Sequence, residues 1–442
     1  MDEFHKNSVH QFCEEFKQKV MNKFILGLMI GLMPYGLIAQ ITLIPDTNFE
    51  NRLIWLGLDN APLNGQVPTA NIDTLRVLGI QSQNITDLTG IQDFTALEEL
   101  YGNWNALTTI DVSQNINLKK ILLIGNQLTS LDVSNNPLLE ELDCWNNQLT
   151  SINLIGADSL KIIWCTSNQL TSIDFSQNTL LTQVVCYQNQ ITSLDFSQNS
   201  NLYKLQCQNN PLTSLNVSGA SALSYLACNN SNLTTLDVSQ NPLLTRLDCD
   251  FNQLTSLNVT GAISLDTLRC NSNQITSLNL SQNPTLTVMN LGFNNLNCLN
   301  LKNGNNVNIE QVLAISNPNL VCVEVDDTAY ANANWPAFDA GVSFSTNCNN
   351  SCSNTQANIN KNNFSNISLY PNPTTGNFSI DLDATETNPK VTLSSSLGLV
   401  ILAQEFESTD FINIDIDAPK GIYFLQIETT RGETKTLKVI KE

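Results

Sequence analysis

Histidine is almost missing from this chain. Of 442 residues only two are histidine, His5 and His10. Basic residues are also scarce: 20 Lys and Arg stand against 40 Asp and Glu, a formal net charge of -20. A nucleic-acid binder needs a basic surface for the phosphates, so that class is excluded. No GxGxxG run or other phosphate loop occurs. The one long apolar run, residues 24–38, follows Lys23 and ends at the small residue Ala39, within MNKFILGLMIGLMPYGLIAQ at 21–40. That is the pattern of a signal peptide, so the mature chain is expected to have no transmembrane segment. No cysteine follows the cleavage region, which argues against a lipid anchor there. The polar residues 1–20 precede the leader awkwardly and are expected to be a spurious extension, with Met21 as the start. Cleavage near Ala39 or Gln40 removes both histidines. A chain without histidine cannot build the usual Ser-His-Asp or Cys-His machinery. Only carboxylate pairs remain for catalysis, which leaves a glycan hydrolase as a minor alternative. The expectation is no enzyme and no cofactor.

What the chain does have is a repeat. Cys144, Cys165, Cys186, Cys207, Cys228, Cys249 and Cys270 follow one another every 21 residues. The unit reads LxxLxCxxNxLTSLDVSxNPx, and its cysteine slot is taken by Ile80, Gly102 and Leu123 before the cysteines and by Leu291 after them. A fixed period of this length and apolar pattern reads as a leucine-rich repeat solenoid of about eleven turns over residues 75–301, a right-handed parallel β coil. The residue two before the slot and the slot itself share the inward face of a short strand. Asn147, Asn168 and Asn189, with Asn105, Asn126, Asn210, Asn252, Asn273 and Asn294, stand three past the slot. There the amide can satisfy backbone groups at the turn. Ser231 interrupts that column, so one turn should be less well satisfied. The seven cysteines have no CxxC or Cys/His spacing and are expected to be inert, packed thiols rather than metal ligands. A polar column on the return segment includes Asp174, Asp195 and Asp237. It reads as turn structure, with bound calcium as a minority idea.

Outward strand positions lie three before, one before and one after the slot, and they do not repeat. They give Tyr101, Lys120, Leu122, Ile124, Trp145, Ile162, Trp164, Val185, Tyr187 and Tyr225, then a polar end with Arg246, Asp248, Asp250, Arg269 and Asn271. Aromatic residues dominate binding hot spots. The candidate site is therefore the concave band across Tyr101, Ile124, Trp145, Trp164 and Tyr187, with Arg246 and Arg269 placed to orient an acidic group. The partner is a protein or a glycan, and a structural or self-assembling role is the alternative.

The ends of the array need covering, because terminal repeats lack a neighbour on one side. Residues 41–74 are expected to form an N-terminal cap, with Thr47 and Glu50 at capping-box spacing and Phe49, Leu53 and Ile54 on one helix face. Residues 302–347 read as a C-terminal cap with a helix near 309–315 and a strand at 320–327. Cys298, Cys322, Cys348 and Cys352 can form one or two bridges there, in any of three complete connectivities. Residues 348–363 read as a polar linker. Beyond it FSIDL, KVTLSSS, FINIDI, GIYFLQIET and TKTLKVI read as strands of a small antiparallel β-sandwich.

Residues 42–347, through IPDTNFENRLIWLGLD, DLTGIQDFTALEEL and the cysteine-bearing units, resemble internalin-like leucine-rich repeat proteins secreted by bacteria of the Bacteroidetes group. Residues 364–442, through Pro371-Asn372-Pro373, Gly376, Gly421-Ile422-Tyr423 and KTLKVIKE, resemble the type A sorting domain of the type IX secretion system. That resemblance implies handling by the secretion machinery. It also implies release from, or attachment to, the surface of a Gram-negative outer membrane.

Overall fold

The structure, a computed structural model, describes residues 40–349, 352, 367–386, 388–395, 400–428 and 434–441. The expected extension, the leader except its last residue, and most of the 348–363 linker lie outside the described residues. Twelve three-residue strands, from Val77–Gly79 to Gln311–Leu313, stack in chain order into one parallel sheet. They pair in register one repeat apart, Leu142 opposite Ile163 and Ile163 opposite Val184. The middle residue of each strand and the following slot face inward. Leu142, Ile163 and Val184 are fully buried, as are all seven repeat cysteines, which are free thiols. Burial pushes these thiols up, Cys186 to about 12, so almost no thiolate exists at neutral pH. A soluble maleimide is expected to leave all seven unlabelled in the native chain and to label them once the coil is unfolded in guanidinium. Rapid native labelling would contradict the buried column.

The asparagine column closes each turn. Asn168 Nδ2 donates to Cys144 O and Cys165 O, both at 3.1 Å. Its Oδ1 accepts from the Leu149 amide at 2.9 Å. The same three bonds recur at Asn147 and Asn189. Ser231 is too short to do this, and its hydroxyl is buried without a partner. One residue before this column, every turn is left-handed: the φ values run from +53° at Ser167 to +66° at Gly125.

A second buried column, Asn115, Asn136, Asn178, Asn199, Asn241 and Asn283, is the asparagine near the end of the repeat unit, whose role the sequence pattern does not show. Asn136 Nδ2 donates to Val112 O and Asn115 O, and its neighbours repeat the pattern. In three turns Ala157, Ala220 and Ala262 replace it, each preceded by glycine. A Cβ on Gly219 or Gly261 would sit 2.0 or 1.7 Å from the carbonyl oxygen of Ser197 or Ser239. Only glycine lets the backbone lie that close to the preceding turn. On the return segments Asp132, Asp174, Asp195 and Asp237 each accept from the amide two residues on. Asn153, Asn216 and Asn258 donate sideways to the aspartate of the turn before. The Ser176 amide and hydroxyl hold Asp174 below the usual carboxylate range. Among the described residues, no group of three or more His, Cys, Asp or Glu is placed to hold a metal.

The first helix, Thr47–Trp55, buries Phe49 and Leu53 against the first turn. Its cap is Asp46, which accepts from Asn48 and Phe49, not the predicted Thr47. Glu50 bonds the Asn64 and Gly65 amides instead of closing a capping box. Arg52 Nε reaches Gly79 O, on the first repeat strand, at 2.7 Å. At the other end residues 309–315 are not helical. They hold the twelfth strand, Gln311–Leu313, with Ala314 in the slot. The helix of that cap is Thr328–Asn334. Trp335 and Phe338 both meet Phe344 edge-on, at 5.8 and 5.1 Å, over the end of the core. Cys322 pairs with Cys348 and Cys298 with Cys352. The start of the expected linker is therefore tied into this cap.

Residues 368–441 form two antiparallel sheets. One has three strands, Ser368–Tyr370, Asn377–Glu386 and Thr409–Asp415. The other has four, in the order Val400–Glu405, Lys390–Ser395, Gly421–Glu428 and Thr434–Lys441. The strands Ser368–Tyr370 and Val400–Glu405 were not predicted. Phe378, Ile380, Leu393, Ile412, Leu425 and Val439 fill the space as one core.

Candidate functional site on the concave sheet

Strand alternation puts the first and third residue of each concave strand on the open face. Register then sets their neighbours. Tyr101, Leu122, Asp143, Trp164, Val185 and Gln206 run side by side in one column. That column continues to Asp248 and Arg269. Ile162 lies beside Glu141 and Gln183 in a second column, which continues to Tyr225 and Arg246. Ile124, Trp145 and Tyr187 follow their slots in a third. The structure thus brings together Tyr101, Leu122, Ile124, Trp145, Ile162, Trp164, Val185 and Tyr187 on, or just after, five adjacent strands.

These side chains are half-buried rather than open. The Trp164 indole N–H is buried without an acceptor. Tyr101 donates to Glu99 at 2.5 Å, and burial followed by that bond pushes its hydroxyl well up. Lys120 pairs with Glu141 at 2.7 Å. Between Leu122 and Trp164 sits Asp143, only 3% exposed. Its carboxylate accepts from the Trp145 amide at 3.2 Å. Loss of hydration outweighs that bond and pushes it up to about 7. Nothing in the repeat pattern singles Asp143 out, since its burial depends on the height of its neighbours.

Tyr225, Arg246 and Arg269 form a different cluster, built on Asp248. Tyr225 donates to its Oδ2 at 3.2 Å and Arg246 Nε lies at 2.9 Å, while Arg269 Nε is 3.9 Å from Oδ1. Arg246 also lies over the Tyr225 ring at 5.5 Å. Asp248 is 7% exposed. The two guanidiniums are therefore already opposed by an internal carboxylate. From sequence they are expected to orient an acidic group of a ligand, beside Asp248 and Asp250. Beside them Asp250 is pushed up to about 6 by burial, although it accepts from the Asn271 amide.

The most exposed aromatic side chains near this face were not in the predicted band. Trp104, Phe251 and Phe293 are 50%, 56% and 58% exposed, and all three occupy the left-handed position two past the slot. The signal was in the sequence: that column otherwise holds Ser, Asn, Gln and Gly.

The stacked coil with its asparagine ladder is a leucine-rich repeat fold, followed by a small two-sheet domain. The comparisons agree. Residues 137–178 match the family described as Leucine Rich repeats (2 copies), and residues 368–442 match the Secretion system C-terminal sorting domain. The chain thus carries leucine-rich repeats and a secretion sorting domain. Among solved structures it is similar to the functional domain of InlJ from Listeria monocytogenes, described as including a cysteine ladder. The two are 22% identical over 91% of this chain and 99% of that one, with a TM-score of 0.38. It is also similar to the leucine-rich repeat protein LIC12759 of Leptospira interrogans, with 24% identity, 58% and 74% coverage and a TM-score of 0.46. For the internalin inlF of Listeria monocytogenes the figures are 20%, 57%, 90% and 0.38. No curated relative matches the chain. Among the described residues, no helix is long and apolar enough to cross a membrane.

Proposed function

We propose that the protein is a non-enzymatic binding module displayed at, or released from, the outer-membrane surface of a Gram-negative bacterium. Its leader at 21–40 and sorting domain at 364–442 serve export, and the concave face grips a protein. The observation that carries this is the clustering of Trp145, Trp164, Tyr187, Ile124 and Tyr101, with Leu122, Ile162 and Val185, at outward positions of adjacent strands. Inward positions are fixed by the core, so individual function resides in the outward ones. Aromatic anchors set among near-neutral contacts are the usual energetic centre of a protein interface. A glycan as the ligand of this band is the alternative.

The test is Trp164→Ala titrated against partners found on an array of surface proteins and glycans, beside Asn271→Ala at the polar end. Trp164→Ala leaves Ile163 and Cys165 untouched, so stability should move by about 1 kcal/mol. Affinity should fall about thirtyfold, roughly 2 kcal/mol. Parental binding by both variants would exclude the band. Concentration-dependent assembly with no ligand would favour a structural protein, to which the exposed Ile116, Leu138, Leu180, Leu243 and Ile263 on the far edge are suited.

A further inference from the structure

We propose that Phe251 and Phe293, with Asp250 and Asn271 beside them, form a second subsite that binds a neutral oligosaccharide chain along the rim of the coil. The left-handed position two past each slot favours residues that adopt it at low strain, such as Gly and Asn. Most turns comply. Trp104 departs, and the fold accounts for it: its ring lies against Gly125, where a Cβ would be 2.3 Å from Cε3. Phe251 and Phe293 depart as well, at φ +54° and +55°, yet more than half of each is exposed. A bulky ring in a strained conformation that buries little of itself does nothing for the coil, and such outliers cluster at functional sites. The two rings flank Ser272 and stand two turns apart, about 10 Å at roughly 4.8 Å per strand.

The chemistry next to them is specific. Asn271 is held by three bonds: its amide N–H donates to Asp250 Oδ1 at 2.9 Å, its Oδ1 accepts from Asn290 Nδ2 at 3.0 Å, and its Nδ2 donates to Ser272 Oγ at 3.2 Å. These planar groups are fixed and keep spare donor and acceptor capacity for hydroxyls. Exposed rings beside fixed amides and carboxylates suit a pyranose, with its apolar face on a ring and its hydroxyls on the polar side chains. The charge argues for a neutral chain. Arg246 and Arg269 are opposed by Asp248, Asp250 adds negative charge, and the whole protein carries -20. An extended peptide would seek free backbone groups to pair with. Here the Phe251 and Phe293 amides already donate to Asn271 O and Ile315 O.

The experiment is affinity electrophoresis of the full chain through gels containing soluble mixed-linkage β-glucan, xyloglucan, mannan or, as the acidic arm, alginate. The parent should be retarded by at least one neutral polymer and not by alginate. The double variant Phe251→Asn, Phe293→Asn should bind that polymer at least tenfold more weakly while melting at or above the parental temperature, because asparagine tolerates the left-handed turn. Trp164→Ala should bind it as the parent does, so this subsite and the concave band fail separately. The proposal is overturned if no neutral polymer retards the parent or if alginate does so equally. It also falls if the double variant binds normally, if that variant melts several degrees lower, or if Trp164→Ala abolishes retardation. Binding of an extended peptide in place of sugar, lost in the same double variant, would overturn the ligand class.

Discussion

Asn168→Ala is expected to destabilise the coil by about 3 kcal/mol, whereas Ser231→Asn at the equivalent position is expected to stabilise it by about 1 to 2 kcal/mol. Asparagine at 168 is the sole side-chain partner of the Leu149 amide, which is left buried and unpaired by the truncation. The carbonyls of Cys144 and Cys165 lose one donor each but keep Asn147 and Asn189. The loss is therefore one orphaned N–H, costing about 1 to 3 kcal/mol, and two weakened acceptors. At Ser231 the opposite holds. No asparagine oxygen reaches the Leu212 amide there, and the serine hydroxyl has no partner. Asn210 and Asn252 on either side show the geometry that a new asparagine would adopt. Urea unfolding read by linear extrapolation checks both variants. Effects of one sign, or none, would mean that the ladder does not hold the turns closed. Because each turn touches only its neighbours, hydrogen exchange in Asn168→Ala should quicken first in the adjoining turns.

The inward half of this fold was legible because each inward position recurs every 21 residues under one constraint, the need to fill a stacked core. Leu142 and Cys144 are read correctly from a single unit and confirmed by all the others. Irregular spacing defeated the same reasoning at 309–315. The step from Leu291 to Ala314 is longer than the repeat, and NIEQVLAI has apolar residues at helical spacing. Yet the sheet edge left by Val288–Asn290 offered Gln311–Leu313 a ladder of backbone partners, and tertiary pairing overrode local pattern. The role of the Asn115 column was missed because Ala157, Ala220 and Ala262 interrupt it, although both choices serve the same close turn. The candidate site was legible only as a list of outward residues. Which of them are sunk, like Asp143, and which stand clear, like Phe251, depends on the side chains one repeat away.

Asp143 gives the other large effect. Its carboxyl is raised from 3.8 to about 7 by burial, with Glu141 raising it further and Lys120 opposing. The inward neighbours of its strand are thiols that do not ionise at these pH values. A raised carboxyl pKa means that the folded state holds a proton which the unfolded state releases. The associated stability is present in full below about pH 4 and is lost as pH rises through 7, in total about 4 kcal/mol. Asp143→Asn keeps an oxygen for the Trp145 amide and removes the titration. It should match the parent at pH 4 and exceed it by about 4 kcal/mol at pH 8, as measured by urea unfolding at the two pH values. Equal stability at both would show that the carboxyl is hydrated or paired in solution. A buried position on a binding face that is more stable as asparagine is a candidate for a charge kept for function. If the aromatic band binds the proposed partner, a hydrogen-bond donor of that partner is the group placed to use that carboxylate. The same variant should then lose affinity for any partner lost by Trp164→Ala, so that stability gained and binding lost are read on one protein.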